Sequence, residues 1–415
     1  MKFSICIRAG ILVAFLSNPA WIPTALAKPA SKSSHELITI VNRSLERNAD
    51  ILAAQAAVSA AEARLSGTTR PLNNPELEGE TERTDINTYR LGISQAIDWH
   101  DKRSALEQVA QAELNVSRQT LATLRLRKAD ELLDAMGRIA IRQAITHLSQ
   151  RRVEILSRFS KLAEQRHAAG DIPRAEMELA RLSLAEASME NARNAASLVV
   201  ANSDFFSLSG QLPANDIRLP KQLSLMKTSS SDTESIVQSH PEVQTALLRS
   251  QVAKRQINAA DRNRKADPTL GISAGREDNN NLLALNFSIP LQVRNNFQSN
   301  VDAANAVALQ AEQEAHQVYR NISAKLMSAE QRYNIISSAW KQWLQQGKTS
   351  LQQRIKLLDT LWKAGEISTS DYLFQIQQTL NTQITGIELH GDLWRTWLDW
   401  MSASASLTAW LQEKN

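Results

Sequence analysis

The sequence predicts a mainly α fold with a small β part: long antiparallel coiled-coil helices and four short strands per chain. Three observations predict it. First, the chain states one plan twice. Asp50-Ile51-Leu52 answers to Glu242-Val243-Gln244, Asn74-Pro75 to Asp267-Pro268, Ser94 to Ser288, and Ala169-Gly170-Asp171-Ile172 to Ala364-Gly365-Glu366-Ile367, at offsets of 192, 193, 194 and 195 residues. Second, no proline falls between Trp99 and Ala169, or after Pro290. Third, the apolar period changes from about 3.6 to 2 at one place in each copy.

Each copy reads as a helix, a hairpin and two very long helices joined at a Gly-acidic-Ile turn. Gly137 is the only glycine between Trp99 and Ala169, so a helix of about 65 residues, roughly 100 Å long, is predicted there. The 125 residues after Pro290 contain no forced helix break. Val301, Ala308, Ala315, Ile322, Ala329, Ile336 and Trp343 recur every seven residues. Ala304, Ala311 and Val318 fill the positions between, and Leu326, Tyr333 and Trp340 take over one place later. That is a coiled-coil seam whose phase drifts. A shorter helix near 233–264 carries Ile236, Val243, Ala246, Ala253, Ile257 and Ala260. Trp394, Trp397, Trp400 and Trp410 have helical spacing and read as packing against neighbouring helices.

The hairpins follow from alternation. Tyr89, Leu91, Ile93, Gln95 and Ile97 alternate with Arg90, Gly92, Ser94 and Ala96; Leu283, Leu285, Phe287, Ile289 and Leu291 do the same in the second copy. Their partners are 77–84 and 269–276, across turns at 85–87 and 278–281. Glu78, Glu80 and Glu82 share one face, opposite Leu77, Gly79 and Thr81.

The bulk numbers agree. Aromatics are 5% of 415 residues, with only 13 glycines and 11 prolines, a bias typical of long helices. Lys2, Arg8, the apolar stretch 9–16 and Ala25-Leu26-Ala27 make residues 1–27 a signal peptide. Cleavage would remove the only cysteine, Cys6, and lower the formal charge from +4 to +2, because 47 − 2 − 43 = 2. Interspersed charges leave no nucleic-acid footprint. The expected organisation is a first repeat over 28–215 (hairpin about 74–98), a connector over 216–232 and a second repeat over 233–415 (hairpin about 268–292).

No later stretch is long and apolar enough for a spanning helix. An exported chain of this kind can still enter a membrane by closed β-structure, since every backbone group in lipid needs a partner. Strands of this length can cross when tilted. Four cannot close a barrel of useful bore, so several copies must share one. Three carboxylates on one strand face cannot point at lipid, which assigns Glu78, Glu80 and Glu82 to the lumen.

Asn74-Pro75-Glu76-Leu77-Glu78, Leu91-Gly92-Ile93-Ser94-Gln95, Asp101-Lys102-Arg103 and the two Gly-acidic-Ile turns resemble the TolC family of outer-membrane efflux ducts, over essentially the whole mature chain. The branch they most resemble is that of cobalt–zinc–cadmium exporters. The resemblance implies a homotrimer with a shared twelve-stranded barrel in the outer membrane and a periplasmic α-barrel below it. It implies docking on a periplasmic adaptor and, through it, on an inner-membrane pump of the resistance–nodulation–division type.

The resemblance also assigns roles. Gly170, Asp171, Gly365 and Glu366 form the tips that meet the adaptor, though plain helix capping also accounts for them. Asp371 falls where the family carries an acidic aperture ring, and Trp362 where some members carry a gating Tyr; Phe374 stands in place of a second acid.

No catalytic constellation or cofactor motif is present: the seven histidines are at least 20 residues apart, and neither a phosphate-cradling loop nor a nucleophile elbow occurs. The expectation is a passive conduit, not an enzyme, with heavy-metal cations as cargo. Drugs or secreted polypeptides are the rival cargoes, and a periplasmic coiled-coil adaptor or scaffold is the rival class.

Overall fold

The computed structural model describes residues 32–213, 216–223 and 230–412. The expected signal segment 1–27 lies outside them, as does part of the connector. Helices α1 (Lys32–Arg47) and α2 (Ala49–Thr68) lead to β1 (Glu76–Arg83) and β2 (Asn87–Ala96), then to α3 (Lys102–Ala168) and α4 (Arg174–Ser209). Helices α5 (Ser230–Ser239) and α6 (Pro241–Asn263) lead to β3 (Thr269–Glu277) and β4 (Asn280–Ser288), then to α7 (Gln298–Gln342) and α8 (Lys348–Lys363), with α9 (Thr369–Ala403) and α10 (Leu407–Gln412) last.

The strands form one antiparallel sheet ordered β1-β2-β3-β4. Helices α2, α3, α6 and α7 pack side by side in the same order, so every strand continues into its own helix. At 67 residues, α3 runs roughly 100 Å. Asp98 starts it by accepting from the backbone N–H groups of Lys102 and Arg103 at 2.7 and 2.8 Å.

Two apolar clusters hold the helices together. The larger gathers Leu37, Val41, Leu133, Met136, Tyr333 and the indoles of Trp394, Trp397 and Trp400, with Trp410 packed against it. The tryptophan cluster is therefore core. The second lies near the tips and includes Phe159, Ala163, Trp362, Tyr372 and Ile376. The heptad seam of α7 is present: Val301, Ala308, Ala315, Ile322, Leu326, Ala329 and Tyr333 are all buried.

Two expected helices are divided. The segment near 233–264 breaks at His240, whose Nδ1 accepts from the Glu242 N–H at 3.2 Å and so caps a new helix beginning at Pro241. Asn48 does the same in the first copy, accepting from Asp50 and Ile51 at 3.0 and 3.3 Å. The helix after Pro290 carries a π-helical turn at Trp343–Gly347. Its cause is packing: a Cβ at Gly386 would lie 2.3 Å from the Trp343 ring, and one at Gly347 equally close. A wide turn seats the indole between two glycines, as π-bulges do where a side chain must be inserted.

Candidate functional site

The β1–β2 register pairs Glu78 with Gly92, Glu80 with Arg90 and Glu82 with Thr88. All three acids lie within the strand and are exposed. Arg90 meets Glu80 at 2.8 Å, and the Ser94 hydroxyl donates to Glu78. By strand alternation, Glu76 shares this face. Sequence reasoning missed Glu76 and the partner Arg90, although counting outward from the turn centre at Asp85 pairs residue 80 with residue 90.

Across β2, β3 and β4 the same face carries Ser94, Gly92, Gly271, Ser273, Gly275, Ala284 and Asn286. These residues are small for a steric reason. A Cβ at Gly92 would lie 2.8 Å from the Ser273 Cβ, and one at Gly275 would lie 2.1 Å from the Tyr89 carbonyl oxygen. The face is crowded. The opposite face is apolar and bare: Leu77, Leu91, Ile93, Leu270, Ile272, Leu283, Leu285 and Phe287 are all more than half exposed. Within one chain, β1 and β4 each have one unpaired edge.

At the far end of the helices, two tips lie between α3 and α4 and between α8 and α9. Gly170 and Gly365 take φ of +84° and +75°, the left-handed conformation that favours glycine. The Asp171 N–H bonds back to the Arg166 carbonyl at 2.8 Å, and the Glu366 N–H to the Leu361 carbonyl at 3.0 Å. These are Schellman closures. Asp171 and Glu366 are exposed and precede the next helices. The next helices begin at Arg174 and Thr369, after Pro173 and Ser368.

Asp371 lies in the first turn of α9. Its N–H donates to the Ser368 hydroxyl at 3.1 Å, and that hydroxyl donates to the Asp371 carboxylate at 2.7 Å. The carboxylate is exposed and sits where the helix dipole favours negative charge.

Trp362 is packed inside the tip. It is only 2% exposed, its Nε1 donates to Thr369 Oγ1 at 3.3 Å, and its ring meets Phe159 at 4.4 Å and Tyr372 at 5.6 Å. The Arg166 guanidinium lies 5.2 Å above it. Within the single chain, Trp362 belongs to the apolar core of the tip. Burial, with Asp359 nearby, pushes the Tyr372 hydroxyl up to about 12.

A further polar site escaped the sequence. Asp130, His240, Lys325 and Asp399 line a cavity of about 250 Å³ between α3, α7 and α9. Burial pushes the Asp130 carboxyl up to about 7; Asp399, Asp134 and Glu131 add to this and Lys325 opposes it. Burial lowers the His240 imidazole below its usual range, against a hydrogen bond to the Ser402 carbonyl. These four residues lie on separate segments, so no local spacing announces them.

A sheet with one apolar and one polar face, each strand running into a helix of a long bundle, can be compared with known folds. CusC, described in terms of transmembrane channel formation, superposes with a TM-score of 0.76 at 16% identity, over 92% of this chain and 95% of its own. The CmeC outer-membrane channel of Campylobacter jejuni superposes with a TM-score of 0.75 at 14% identity, over 97% and 93%.

The chain has the fold of the TolC-family outer-membrane channels.

The open-state MtrE outer-membrane channel of Neisseria gonorrhoeae shares this TolC-type fold, with a TM-score of 0.74 at 15% identity over 89% of this chain and 88% of its own. In sequence, the cobalt-zinc-cadmium resistance protein CzcC of Cupriavidus metallidurans is 25% identical over 328 residues, 75% of this chain and 76% of CzcC. No family model matches the chain.

Proposed function

We propose that this chain is the outer-membrane channel subunit of a tripartite efflux system, a passive conduit for heavy-metal cations from periplasm to exterior. Three copies pool twelve strands in one barrel, with the helical bundle hanging into the periplasm. The tips at Gly170-Asp171 and Gly365-Glu366 meet a periplasmic adaptor, which links them to an inner-membrane pump of the resistance–nodulation–division type. One observation carries this reading: the sheet sorts its side chains into an apolar outer face and a polar inner one while leaving both edges unpaired. Unpaired edges in lipid would each forfeit several hydrogen bonds, and symmetric closure by further copies removes them.

The cation reading is supported by the likeness to CzcC and by the inner face. Glu78, Glu80 and Glu82 repeated three times line the bore with nine carboxylates, three of them countered by Arg90. Such a wall concentrates cations locally. Asp371, tripled around the axis at the periplasmic end, would repel its own copies and attract cations, and we assign it to the resting constriction; the buried Trp362 supports that end of the tube from within.

Planar bilayers containing the purified mature chain test the proposal. Stepwise conductance with a cation-selective reversal potential is expected, and the triple variant E78Q/E80Q/E82Q should lose most of the selectivity. D371A should raise single-channel conductance. A chain that stays water-soluble and forms no pores would overturn the reading.

A further inference from the structure

The connector between the repeats tells the two sides of α9 apart. His390 Nε2 donates to the Pro220 carbonyl at 3.1 Å, and Trp340 Nε1 to the Lys221 carbonyl at 3.3 Å. The connector is thus strapped across α7 and α9. Beside the strap opens a groove of about 1440 Å³, which α9 lines with Leu380, Gln383, Gly386, Ile387 and His390. Chain laid across a face would obstruct a bore on that side, so the groove side of α9 is the outer one.

The opposite side of α9 carries a different lane. Phe374 lies nine residues before Gln383, about two and a half turns of helix, and so points the other way. From it Gln378, Asn381, Thr385, Glu388 and Asp392 follow at alternating steps of four and three, and all are exposed. A line of polar residues along a helix suits a water-filled bore. Phe374 is the exception, an apolar ring that is 68% exposed at the tip end of the lane.

Its neighbours sharpen the contrast. Asp371 stands one helical turn nearer the tip, three residues before Phe374 on the same side, and is exposed as well. Tyr372, Leu373 and Ile376 turn inward and are buried in the tip core with Trp362 and Phe159. Phe374 is outside that core, so the fold of the tip does not need it. An acid and an aromatic ring thus stand bare, one turn apart, where the lane begins.

We propose that Phe374 forms an apolar collar in the resting channel: three benzyl rings, one from each copy, meet about the tube axis directly above the Asp371 carboxylates. The acids draw hydrated cations to the aperture and the collar halts them. An apolar constriction dewets, and a cation must shed its hydration shell to pass it. Attraction and closure therefore reside in different residues, one turn apart. Widening of the tip, rather than a change of charge, opens the path. This rests on the conduit reading above.

The test uses the full mature chain in planar bilayers. F374A should raise single-channel conductance several-fold and leave the reversal potential unchanged, since no charge is removed. F374L, still apolar, should conduct like wild type. Equal conductance of F374A and wild type would overturn the collar. Placement at the axis has its own readout. The only cysteine, Cys6, falls in the expected signal segment, so F374C gives the mature protein a single thiol. Mild oxidation should join F374C copies in pairs, because a disulfide forms only between cysteines brought close together. Q383C, on the groove side, should stay uncoupled. An F374C protein that does not cross-link would overturn the ring. A wild type that conducts while F374A is unchanged loses only the collar, whereas a chain that forms no pores loses the conduit reading as well.

Discussion

The indole of Trp394 occupies the space that a side chain at position 137 would need. Its Nε1 donates to the Leu133 carbonyl at 3.0 Å, and a Cβ added at Gly137 would lie 2.4 Å from its Cδ1. Gly137, midway along the longest helix, is thus a packing residue. It lets α9 approach α3 closely at the level where the larger cluster is densest.

The first prediction follows. Trp394 is 1% exposed and cannot swing away, so Gly137→Ala overpacks the core. A loss of about 1–3 kcal/mol is expected, despite the better helix propensity of alanine. Thermal unfolding in detergent, followed by near-ultraviolet circular dichroism, reads it. Gly67→Ala is the control: nothing lies within 4 Å of its added Cβ, and a gain of about 1 kcal/mol or less is expected.

A second prediction concerns the sheet. Gly275→Ala would press a methyl group against the backbone of β2 at Tyr89, which no rotamer change can relieve. The β2–β3 ladder should be lost locally, and the assembled barrel with it. Loss of the compact, heat-modifiable band in gels would report this; a normal band would show that the β2–β3 contact at Gly275 can relax.

Third, stability should depend on pH through Asp130. A carboxyl raised to about 7 in the folded chain, against 3.8 in the unfolded one, keeps its proton where the unfolded chain has lost it. Stability therefore falls as pH climbs from about 4 to about 7, and is flat above that. Asp130→Asn should flatten this slope and raise the urea midpoint at pH 8 relative to wild type. A slope of equal size in the variant would assign the effect to other groups.

Fourth, Gly365→Val should weaken metal resistance in cells without changing trimer assembly on native gels. The φ of +75° at Gly365 is strained for a β-branched residue, at about 1–2 kcal/mol. No neighbour lies near its Cβ position, so the damage stays at the tip. Gly365→Asn tolerates that backbone and should retain more resistance. Unaffected resistance in the valine variant would remove this tip from the docking surface.

Much of this was legible in the sequence because it depends on local periodicity. Strand alternation located both hairpins and grouped Glu78, Glu80 and Glu82 on one face. The Gly-acidic-Ile turns announced left-handed caps at Gly170 and Gly365. What escaped depends on distant partners. The π turn at Trp343 exists because Gly386, on another helix, offers a slot. Trp362 is core because Phe159 lies 4.4 Å away, across the pair of hairpins. Asp130 meets His240 and Asp399 only after three helices assemble. Proline scarcity correctly predicted long helices, but it could not exclude breaks made by capping, as at Asn48.

The passages between strands and helices are short: 69–75, 97–101, 264–268 and 289–297. Cross-ties such as Lys102–Asp267 and the Ile97 N–H on the Pro268 carbonyl, at 2.8 Å, knit them together. These ties join the base of β2 to the base of β3, so the sheet is held to α3 and α6 at the same level. A displacement of α3 is therefore passed to β2 and β3 together, through the salt bridge and the backbone hydrogen bond at once.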